Sequence, residues 1–296
     1  MSSSPKYCVA TVTTPDFVPG TLVLLHSFLQ NNPWFDGDVI LISQGLEQIY
    51  TRYFQIFPQL IYEEVDPEIV SRTDRLCEQH EQFAQRRAQF YSLQLLRLRG
   101  YDKLLFLDSD MVIVGDLRPV FEREEPFLAC ADGFYYKGWY RDAKTYEKVL
   151  PEEVQLGREL WLDTFNSGFM MVNQSLLTDQ AFEEAVGMIN DDYFSSVSTN
   201  HSDQLIFNVY FRKKFTLLSS KYNYRFGVGQ AIREKDGISF EEASVLHFTS
   251  KRKPWRSEQV LRAAFRIKHY RRSYDQWLRY WNGVLDELEQ LPKPVQ

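Results

Sequence analysis

The chain has little of several features that mark large classes of protein. Its three cysteines, Cys8, Cys77 and Cys130, are odd in number and widely spaced, which fits neither a disulfide framework nor a zinc knuckle. No run of about 18 apolar residues is present, so no membrane-spanning helix is predicted. Only 14 glycines and 12 prolines occur, which excludes a collagen-like chain. Because no signal-peptide pattern precedes the first apolar segment, the expected location is a reducing cytoplasm.

What is present is typical of a globular protein. The 296 residues are 44% hydrophobic and 25% charged, enough for one large domain or two small ones at roughly 100–200 residues each. No Ser/Gly-rich linker and no internal repeat interrupts the chain, so we expect one continuous fold. The aromatic content of 15% is high and suggests stacking or sugar-contacting surfaces.

Charge is unevenly distributed along the chain. The net charge is −6, yet residues 251–281 carry ten Lys and Arg against Glu258 and Asp275, a local balance of +8 that leaves −14 for the remainder. A body this acidic argues against nucleic acid as a partner. One basic segment suits a phosphorylated ligand or an anionic membrane surface instead.

Short apolar runs alternate with helical segments in the first half. Strands are predicted at 6–13, 38–43, 60–65 and 103–107, and helices at 21–30, 45–57 and 79–99. The less regular second half predicts strands at 126–132, 169–172 and 246–248, and helices at 182–188 and 203–211. Such alternation is typical of an α/β fold with a Rossmann-like, mostly parallel central sheet flanked by helices.

Two carboxylates follow the fourth predicted strand, in the segment KLLFL-Asp108-Ser109-Asp110-MVIV. On an extended chain residues i and i+2 point to the same side, and open α/β sheets bind ligands at the carboxyl ends of their strands. Two anions this close repel each other unless a cation joins them, and a divalent ion with oxygen ligands would do so. The alternative is an exposed turn, in which Asp is a common residue.

The same segment also fits a phosphatase pattern in which the first Asp of D-x-D is a nucleophile. Asp191 and Asp192 would then supply a distant acidic pair. That pattern usually follows the first strand of its fold, whereas about a hundred residues precede it here. It also needs a flexible turn after the second Asp, where this chain resumes an apolar run. We keep it as a rival class of enzyme.

Two other polar segments are candidates for ligand contacts. Asn166, Ser167 and Gly168 are predicted to form a polar loop before a strand, able either to bind hydroxyl groups or to make a simple turn. Ser202 and Asp203 are predicted to begin a helix as N-cap and first-turn acid, and capping alone would explain them.

A histidine and a lysine follow the last predicted strand. His247 leaves this strand, and Lys253 comes six residues later, before Pro-Trp. An imidazole can ligate a metal and an ammonium can pair with phosphate, although a lone histidine is more often structural. If His247 completes a site with Asp108 and Asp110, the donor set suits Mn²⁺.

Taken together, these segments resemble the family 8 glycosyltransferases, which include glycogenin and bacterial lipopolysaccharide α-galactosyltransferases. The matching segments span residues 7–255 and are VATVTTPDFVPGTLVLLHSF, YDKLLFLDSDMVIVGDL, FNSGFMMVNQSLL, SDQLIFNVYF and VLHFTSKRKPW. The resemblance implies a GT-A fold over 1–258, with a nucleotide-sugar-binding half (1–115) and a smaller acceptor half (116–258), followed by a basic aromatic tail (259–296). It also implies a UDP-sugar donor, Mn²⁺ with Mg²⁺ as the alternative, and transfer with retention of configuration.

The resemblance assigns a role to each matching position. The implied metal ligands are Asp108, Asp110 and His247. The implied contacts to the UDP-sugar are Ala10, Thr11, Thr13, Asp16, Phe17, Asp108, Ser109, Asn166, Ser167, Ser250 and Lys253. Asp203 and Gln204 would lie by the anomeric carbon. Gln204 is a poor nucleophile and Asp203 a plausible one; front-face attack assisted by the leaving phosphate is favoured, and double displacement is the alternative.

The sequence departs from the family pattern at three places. Ser250 replaces the glycine between the histidine and the lysine. The basic residue that often precedes D-x-D falls near Ser92, so Arg86 or Arg87 would have to replace it. Pro15 stands where an Asn is common, in a turn that is one residue shorter.

The sequence says less about the acceptor than about the donor. The aromatic residues between 134 and 161 predict either a sugar-stacking wall or ordinary packing. The tail over 260–281 predicts either an interfacial membrane anchor or a basic helix packed on the acidic body. The favoured function is hexosyl transfer to a glycan or glycolipid. The alternatives are glycogenin-like glycosylation of its own tyrosine, a non-catalytic nucleotide-sugar-binding protein and the phosphatase.

Overall fold

The structure, a computed structural model, describes most of the chain. The described residues are 5–132, 164–196, 201–212, 214–226, 236–249, 253–256, 258, 260 and 269–292. The aromatic segment predicted as an acceptor wall (134–161), and much of the basic segment, including 261–268, lie outside them.

Within the described residues, ten strands form two sheets. The strands are β1 (Tyr7–Val12), β2 (Asp38–Ser43), β3 (Leu60–Glu64), β4 (Lys103–Leu107), β5 (Met111–Ile113), β6 (Phe127–Ala131), β7 (Phe165–Asn173), β8 (Thr216–Leu218), β9 (Tyr224–Arg225) and β10 (Val245–His247). The main sheet has the order β3-β2-β1-β4-β7-β6-β8, and the small one has the order β5-β10-β9. In the main sheet only β7 runs antiparallel to its neighbours β4 and β6. The predicted mostly parallel sheet is therefore confirmed.

Helices flank these strands. The α-helices are α1 (Val18–Asn31), α2 (Gln48–Tyr53), α3 (Pro67–Gln79), α4 (Arg118–Phe121), α5 (Asp179–Gly187), α6 (Asp191–Ser196), α7 (Asp203–Tyr210) and α8 (Tyr270–Glu289). The 3₁₀ helices are Pro15–Phe17, Phe54–Ile56, Glu81–Arg97, Gln174–Leu176, Ser220–Tyr222 and Phe240–Glu242.

The continuous apolar runs of the central strands follow from burial on both faces of the sheet. In β4, Leu104 and Phe106 pack in the core on one side, while Leu105 and Leu107 pack in the core on the other side. Since successive side chains of a strand point to opposite faces, every position of β4 that reaches a core is apolar. The strand order places β4, and with it the turn that follows, in the middle of the main sheet.

The region before β4 differs from the prediction. The long α-helix predicted at 79–99 is a 3₁₀ helix over Glu81–Arg97, and α3, which the sequence analysis did not predict, precedes it. Asp66 caps α3 by accepting a hydrogen bond from the Glu68 backbone at 2.8 Å, and a proline occupies the first turn. His80 has a non-helical backbone between the two helices, so the continuous periodicity of the sequence is broken there.

The C-terminal helix α8 packs against α1. Tyr270, Trp277 and Tyr280 are buried in the core beneath it. Gly283 lies against His26, since a Cβ there would come within 2.5 Å of the imidazole Nε2. Within the described ranges, no helix combines the length and the apolar character needed to cross a membrane.

Candidate active site

The two aspartates of the D-x-D segment lie in a tight turn. The backbone N–H of Met111 donates to the Asp108 carbonyl at 3.2 Å, and the turn carries the chain from β4 into β5 of the small sheet. The extended segment predicted here was therefore wrong. The carboxylates of Asp108 and Asp110 converge because the chain reverses between them.

His247 completes an acidic cluster at this turn. The small sheet brings it there, since β10 pairs antiparallel with β5 and sets His247 opposite Met111. Its Nε2 lies 3.0 Å from Oδ1 of Asp110 and 3.5 Å from Oδ2 of Asp108. One ligand atom from each residue lies within 4.8 Å of the others.

The cluster has the chemistry and the space for a divalent cation. Two carboxylate oxygens and one imidazole nitrogen are a donor set that suits Mn²⁺. Gly168 lies beside them, and a Cβ at this position would be 2.5 Å from Asp108 Oδ2 and 2.6 Å from His247 Cε1. The missing side chain leaves room at the point where the donors converge. The residues present therefore fit a bound metal.

Mutual charge shifts the pKa values inside the cluster. Burial of Asp110 opposes its ionisation, but Lys253 and His247 offset this and hold its pKa well below the usual range. Burial of His247 opposes its protonation, but the charges of Asp110 and Asp108 outweigh this and raise its pKa. Asp110 is therefore held in its ionised form, with positive charge directly beside it.

Lys253 places a fixed positive charge beside the acidic cluster. Its ammonium donates to Asp110 Oδ2 and, at 2.7 Å, to the Phe248 carbonyl, and it lies 5.6 Å from the centre of the Phe17 ring. This cation also lines the cavity next to the cluster. An anionic group bound there would meet a charge already held in position.

A cavity of about 380 Å³ opens at the cluster. It brings together the predicted site residues Phe17, Asp108, Ser109, Asp110, Asn166, Ser167, Asp203, Gln204, His247 and Lys253. Other polar side chains on its wall are Thr14, Gln85, Arg86, Gln89, Ser92, Asp132, His201, Ser202, Arg225 and Thr249.

Several residues predicted to contact the nucleotide are not on this wall. Ala10 and Thr11 are fully buried in β1, and the Thr13 hydroxyl pairs with that of Thr21 at 2.8 Å. Asp16 is largely exposed and faces Arg256. Ser250 lies outside the described residues.

Trp255 fixes the loop that contains Asp16 and Phe17. Its indole N–H donates to the Asp16 carbonyl at 3.0 Å. Its ring lies 5.5 Å from the Phe17 ring and 6.3 Å from the Trp277 ring of α8. The loop is thereby linked to the C-terminal helix.

Asn166 and Ser167 lie within β7, not in the predicted loop before it. Ala129 of β6 pairs with Met170, whereas Cys130 pairs with Asn166, so the residues between them bulge out of the ladder. The bulge also allows the Gly168 carbonyl to accept from the Asp108 backbone at 2.8 Å. A strand can therefore present polar side chains at the centre of the site.

Asp203 is a buried carboxylate with hydroxyl partners. The hydroxyls of Ser92 and Ser202 each donate to it at 3.0 Å. Burial, followed by the charge of Asp108, raises the pKa of Asp203 to about 6. Ser202 occupies the predicted N-cap position of α7, but its hydroxyl bonds to Asp203 and Gln89 and not to the helix backbone.

Ser92 occupies the place where the resemblance leads us to expect a basic residue. Of the two arginines named as replacements, Arg86 lines the cavity, while Arg87 forms an ion pair with Asp74 at 3.2 Å. The contact to Asp203 is therefore made by a neutral hydroxyl.

Three polar residues at the site were missed by the sequence analysis. Arg225 and Asp132 form a buried ion pair at 2.6 Å on the cavity wall, and Oδ1 of Asn223 lies 2.8 Å from Nδ1 of His247. Asn223 and Arg225 are residues i and i+2 of an extended segment, so their side chains point to the same side, towards the site. No motif marked them, because their partners are far apart in the sequence.

The fold and this site define an α/β protein with an acidic cluster, of a composition suited to a divalent cation, at the carboxyl ends of its strands. The chain belongs to glycosyltransferase family 8, because the sequence model described as Glycosyl transferase family 8 matches residues 8–259. The resemblance seen in the sequence is thus confirmed.

The chain is also similar to individual proteins and solved structures. The chain is 23% identical to the uncharacterized protein R707 of Acanthamoeba polyphaga mimivirus, over 95% of this chain and 92% of R707. It is 25% identical to the glycosyltransferase GlyE of Streptococcus pneumoniae, over 63% of this chain but only 40% of GlyE. The structure of the galactosyltransferase LgtC, in complex with donor and acceptor sugar analogs, superposes with a TM-score of 0.67 at 15% identity, covering 97% of this chain and 98% of LgtC. The predicted GT-A fold is therefore confirmed.

Proposed function

We propose that this protein transfers a hexose, glucose or galactose, from a UDP-sugar to a hydroxyl of a glycan or glycolipid, with retention of anomeric configuration. The observation that carries the proposal is the cluster of Asp108, Asp110, His247 and Lys253 at one cavity of a family 8 glycosyltransferase. Departure of UDP builds negative charge on the diphosphate, and a site that gathers cations around that charge favours the reaction.

Each member of the cluster has a defined part in this proposal. Asp108, Asp110 and His247 would hold Mn²⁺, with Mg²⁺ as the alternative, and the bound ion would supply charge neutralisation at the leaving diphosphate. Lys253 pairs with a phosphate oxygen through its ammonium. Phe17 and Ser109 lie on the same wall, where they would contact the nucleotide.

The far side of the cavity would hold the sugar. Asp203 is ionised at neutral pH, because its pKa is about 6, and accepts hydrogen bonds from sugar hydroxyls. The Gln204 Oε1 already accepts from Asn166 Nδ2 at 2.7 Å. An amide oxygen engaged in this way is a poor nucleophile, which favours front-face attack over double displacement.

Specific observations weigh against the rival functions. No tyrosine is among the described residues that line the cavity, which disfavours self-glycosylation through that part of the chain. Asp191 and Asp192 begin α6 away from the cavity wall, which disfavours the phosphatase. The complete cluster of Asp108, Asp110, His247 and Lys253 argues against a purely non-catalytic role.

A peripheral membrane contact remains a proposal of its own. The aromatic residues Tyr270, Trp277 and Tyr280 of the predicted anchor are buried against the body, so they cannot insert into lipid. Among the described residues, contact with an anionic surface would go through exposed basic side chains such as Arg271 and Arg279.

The experiment that tests the function is a panel of UDP-sugars, each incubated with the protein with and without Mn²⁺. UDP release and the protein mass are followed, with Asp110→Asn as the control. We expect metal-dependent UDP release from one donor that Asp110→Asn abolishes, with no change in protein mass. A mass increase would favour self-glycosylation. Neither UDP release nor UDP binding across the panel would contradict the proposed transfer.

A further inference from the structure

A chain of side-chain amides connects the acidic cluster to the sugar side of the cavity. The Asn223 Nδ2 donates to Asn166 Oδ1 at 2.8 Å, and Asn166 Nδ2 donates to Gln204 Oε1. Gln204 Nε2 in turn lies 3.2 Å from Nδ1 of His201. At the other end, Asn223 Oδ1 contacts Nδ1 of His247.

One backbone group fixes the direction of every bond in this chain. The N–H of Gly168 points at Asn166 Oδ1 at 3.2 Å, and a backbone N–H can only donate. The atom that it meets must therefore be the oxygen of the Asn166 amide. It follows that Asn223 presents its NH₂ group to Asn166 and its oxygen to His247.

The direction of these bonds determines which nitrogen of His247 is available to a metal. Because Asn223 Oδ1 is an acceptor, Nδ1 of His247 must be the protonated nitrogen. Nε2, on the side of Asp108 and Asp110, is then the nitrogen that donates to these carboxylates and that, on losing its proton, would offer a lone pair to a metal held between them. Partners of this kind orient histidine ligands, and removing one typically costs about 10- to 100-fold in metal affinity.

We infer that Asn223 is a positioning residue for the divalent metal: its oxygen holds His247 with Nε2 towards Asp108 and Asp110, and its NH₂ group ties that orientation to Asn166. The inference rests on the metal site of the proposed function. Asn223 is almost fully buried and does not line the cavity, so it acts through His247 and Asn166 and not on a substrate.

The local fold explains how Asn223 comes to this position. The side chain of Ser219 begins the 3₁₀ helix Ser220–Tyr222 by accepting from the Lys221 backbone, and Asn223 follows as its last boundary residue. Directly afterwards β9 pairs parallel to β10, with Arg225 opposite His247. The segment that carries Asn223 is thus bonded to the strand that carries the histidine.

The test compares Mn²⁺ binding by the full chain, measured as free Mn²⁺ by electron paramagnetic resonance with and without UDP. Asn223→Leu removes both amide contacts, and Asn223→Asp keeps the acceptor towards His247 but loses the donor towards Asn166. Asn32→Leu is the matched control. Asn32 is another fully buried amide, with its own contacts to Phe28 and Leu117, and it lies off the cavity wall.

We expect Asn223→Leu to weaken Mn²⁺ binding by about 10- to 100-fold. Asn223→Asp should bind Mn²⁺ within about threefold of wild type, with a lower transfer rate because Asn166 has lost its donor. Asn32→Leu should lower the melting temperature without changing Mn²⁺ affinity.

Two results would overturn the inference while leaving the metal site intact. The first is wild-type Mn²⁺ affinity in Asn223→Leu. The second is a loss of affinity in Asn223→Asp as large as that in Asp110→Asn, which decides the question even if Asn223→Leu does not fold. Absence of Mn²⁺ binding by the wild-type protein would instead contradict the metal role in the proposed function, and the inference with it.

Discussion

At the scale of single residues, the absence of a side chain at Gly168 matters to the site as much as the side chains around it. Gly168 has no side chain at the point where Asp108 and His247 approach each other, and its N–H fixes the amide of Asn166. The same residue therefore provides space for a metal and orientation for the groups around it.

Gly168→Ala should weaken metal binding while the protein remains folded. The added Cβ would lie 2.5 Å from Asp108 Oδ2 and 2.6 Å from His247 Cε1, so the donors must move apart. We expect Mn²⁺ affinity and transfer rate to fall at least tenfold, as measured by calorimetry and UDP release. The control is Gly187→Ala, since a Cβ at Gly187 meets nothing within 4 Å. Unchanged Mn²⁺ affinity in Gly168→Ala would refute the assignment.

The buried charge of Asp203 is expected to lower the stability of the folded protein while it serves the transfer reaction. The folded-state pKa of about 6 lies above the unfolded value of roughly 3.9, so the folded protein binds this proton more tightly. The ionised carboxylate therefore costs stability above about pH 6, and the cost disappears as the pH falls below about 4.

Asn at position 203 removes this cost. In metal-free protein at pH 8, Asp203→Asn should raise the free energy of unfolding by on the order of 1–3 kcal/mol, and by about half as much at pH 5. The transfer rate should fall, because an amide accepts fewer hydrogen bonds from the sugar. Urea unfolding at the two pH values measures the difference. A gain that did not depend on pH would show that burial of the charge is not its cause.

At the scale of the element, α8 is an integral part of the core and not an appendage. The Tyr270, Tyr274, Trp277 and Trp281 rings stack in a row along the helix, with centroids 5.4–6.5 Å apart. Trp277 is nearly fully buried among them. Of the predicted tail, the described residues 269–292 pack on the body of the protein.

Trp277→Ala should therefore be strongly destabilising. Loss of a buried tryptophan typically costs about 3–5 kcal/mol, through lost burial and the cavity left behind. Leu285→Ala in the same helix should cost less than about 1 kcal/mol, since Leu285 is 40% exposed. Thermal unfolding of both variants measures the contrast. Similar melting temperatures would mean that α8 does not contribute to the core in solution.

The strands differ in how well the sequence alone predicted them. Strands β2 and β4 were predicted with their observed bounds, because burial on both faces leaves a continuous apolar run. The polar start of β7 was predicted as a loop, because its pairing with β6 and its hydrogen bond to the Asp108 backbone, and not its own pattern, make it a strand. The short strands β5, β8 and β9 were not predicted as separate strands, since two or three residues carry too little periodicity.

At the scale of the whole molecule, the sequence predicted the fold and the centre of the site. Asp108, Asp110 and His247 were found because the type of residue and the adjoining apolar strand point to one chemistry. Asn223 and the pair of Asp132 and Arg225 could not be found, because their partners are distant in sequence and only the folded sheets bring them together.

The position of Trp255 has a consequence for the fluorescence of the protein. Its indole bonds to the Asp16 carbonyl, touches the Phe17 ring at the edge of the cavity and approaches Trp277 in α8. The emission of an indole depends on the polarity and motion of the groups around it. A fluorophore native to the chain therefore stands between the cavity wall and the C-terminal helix, and a change at either one alters the light that it emits.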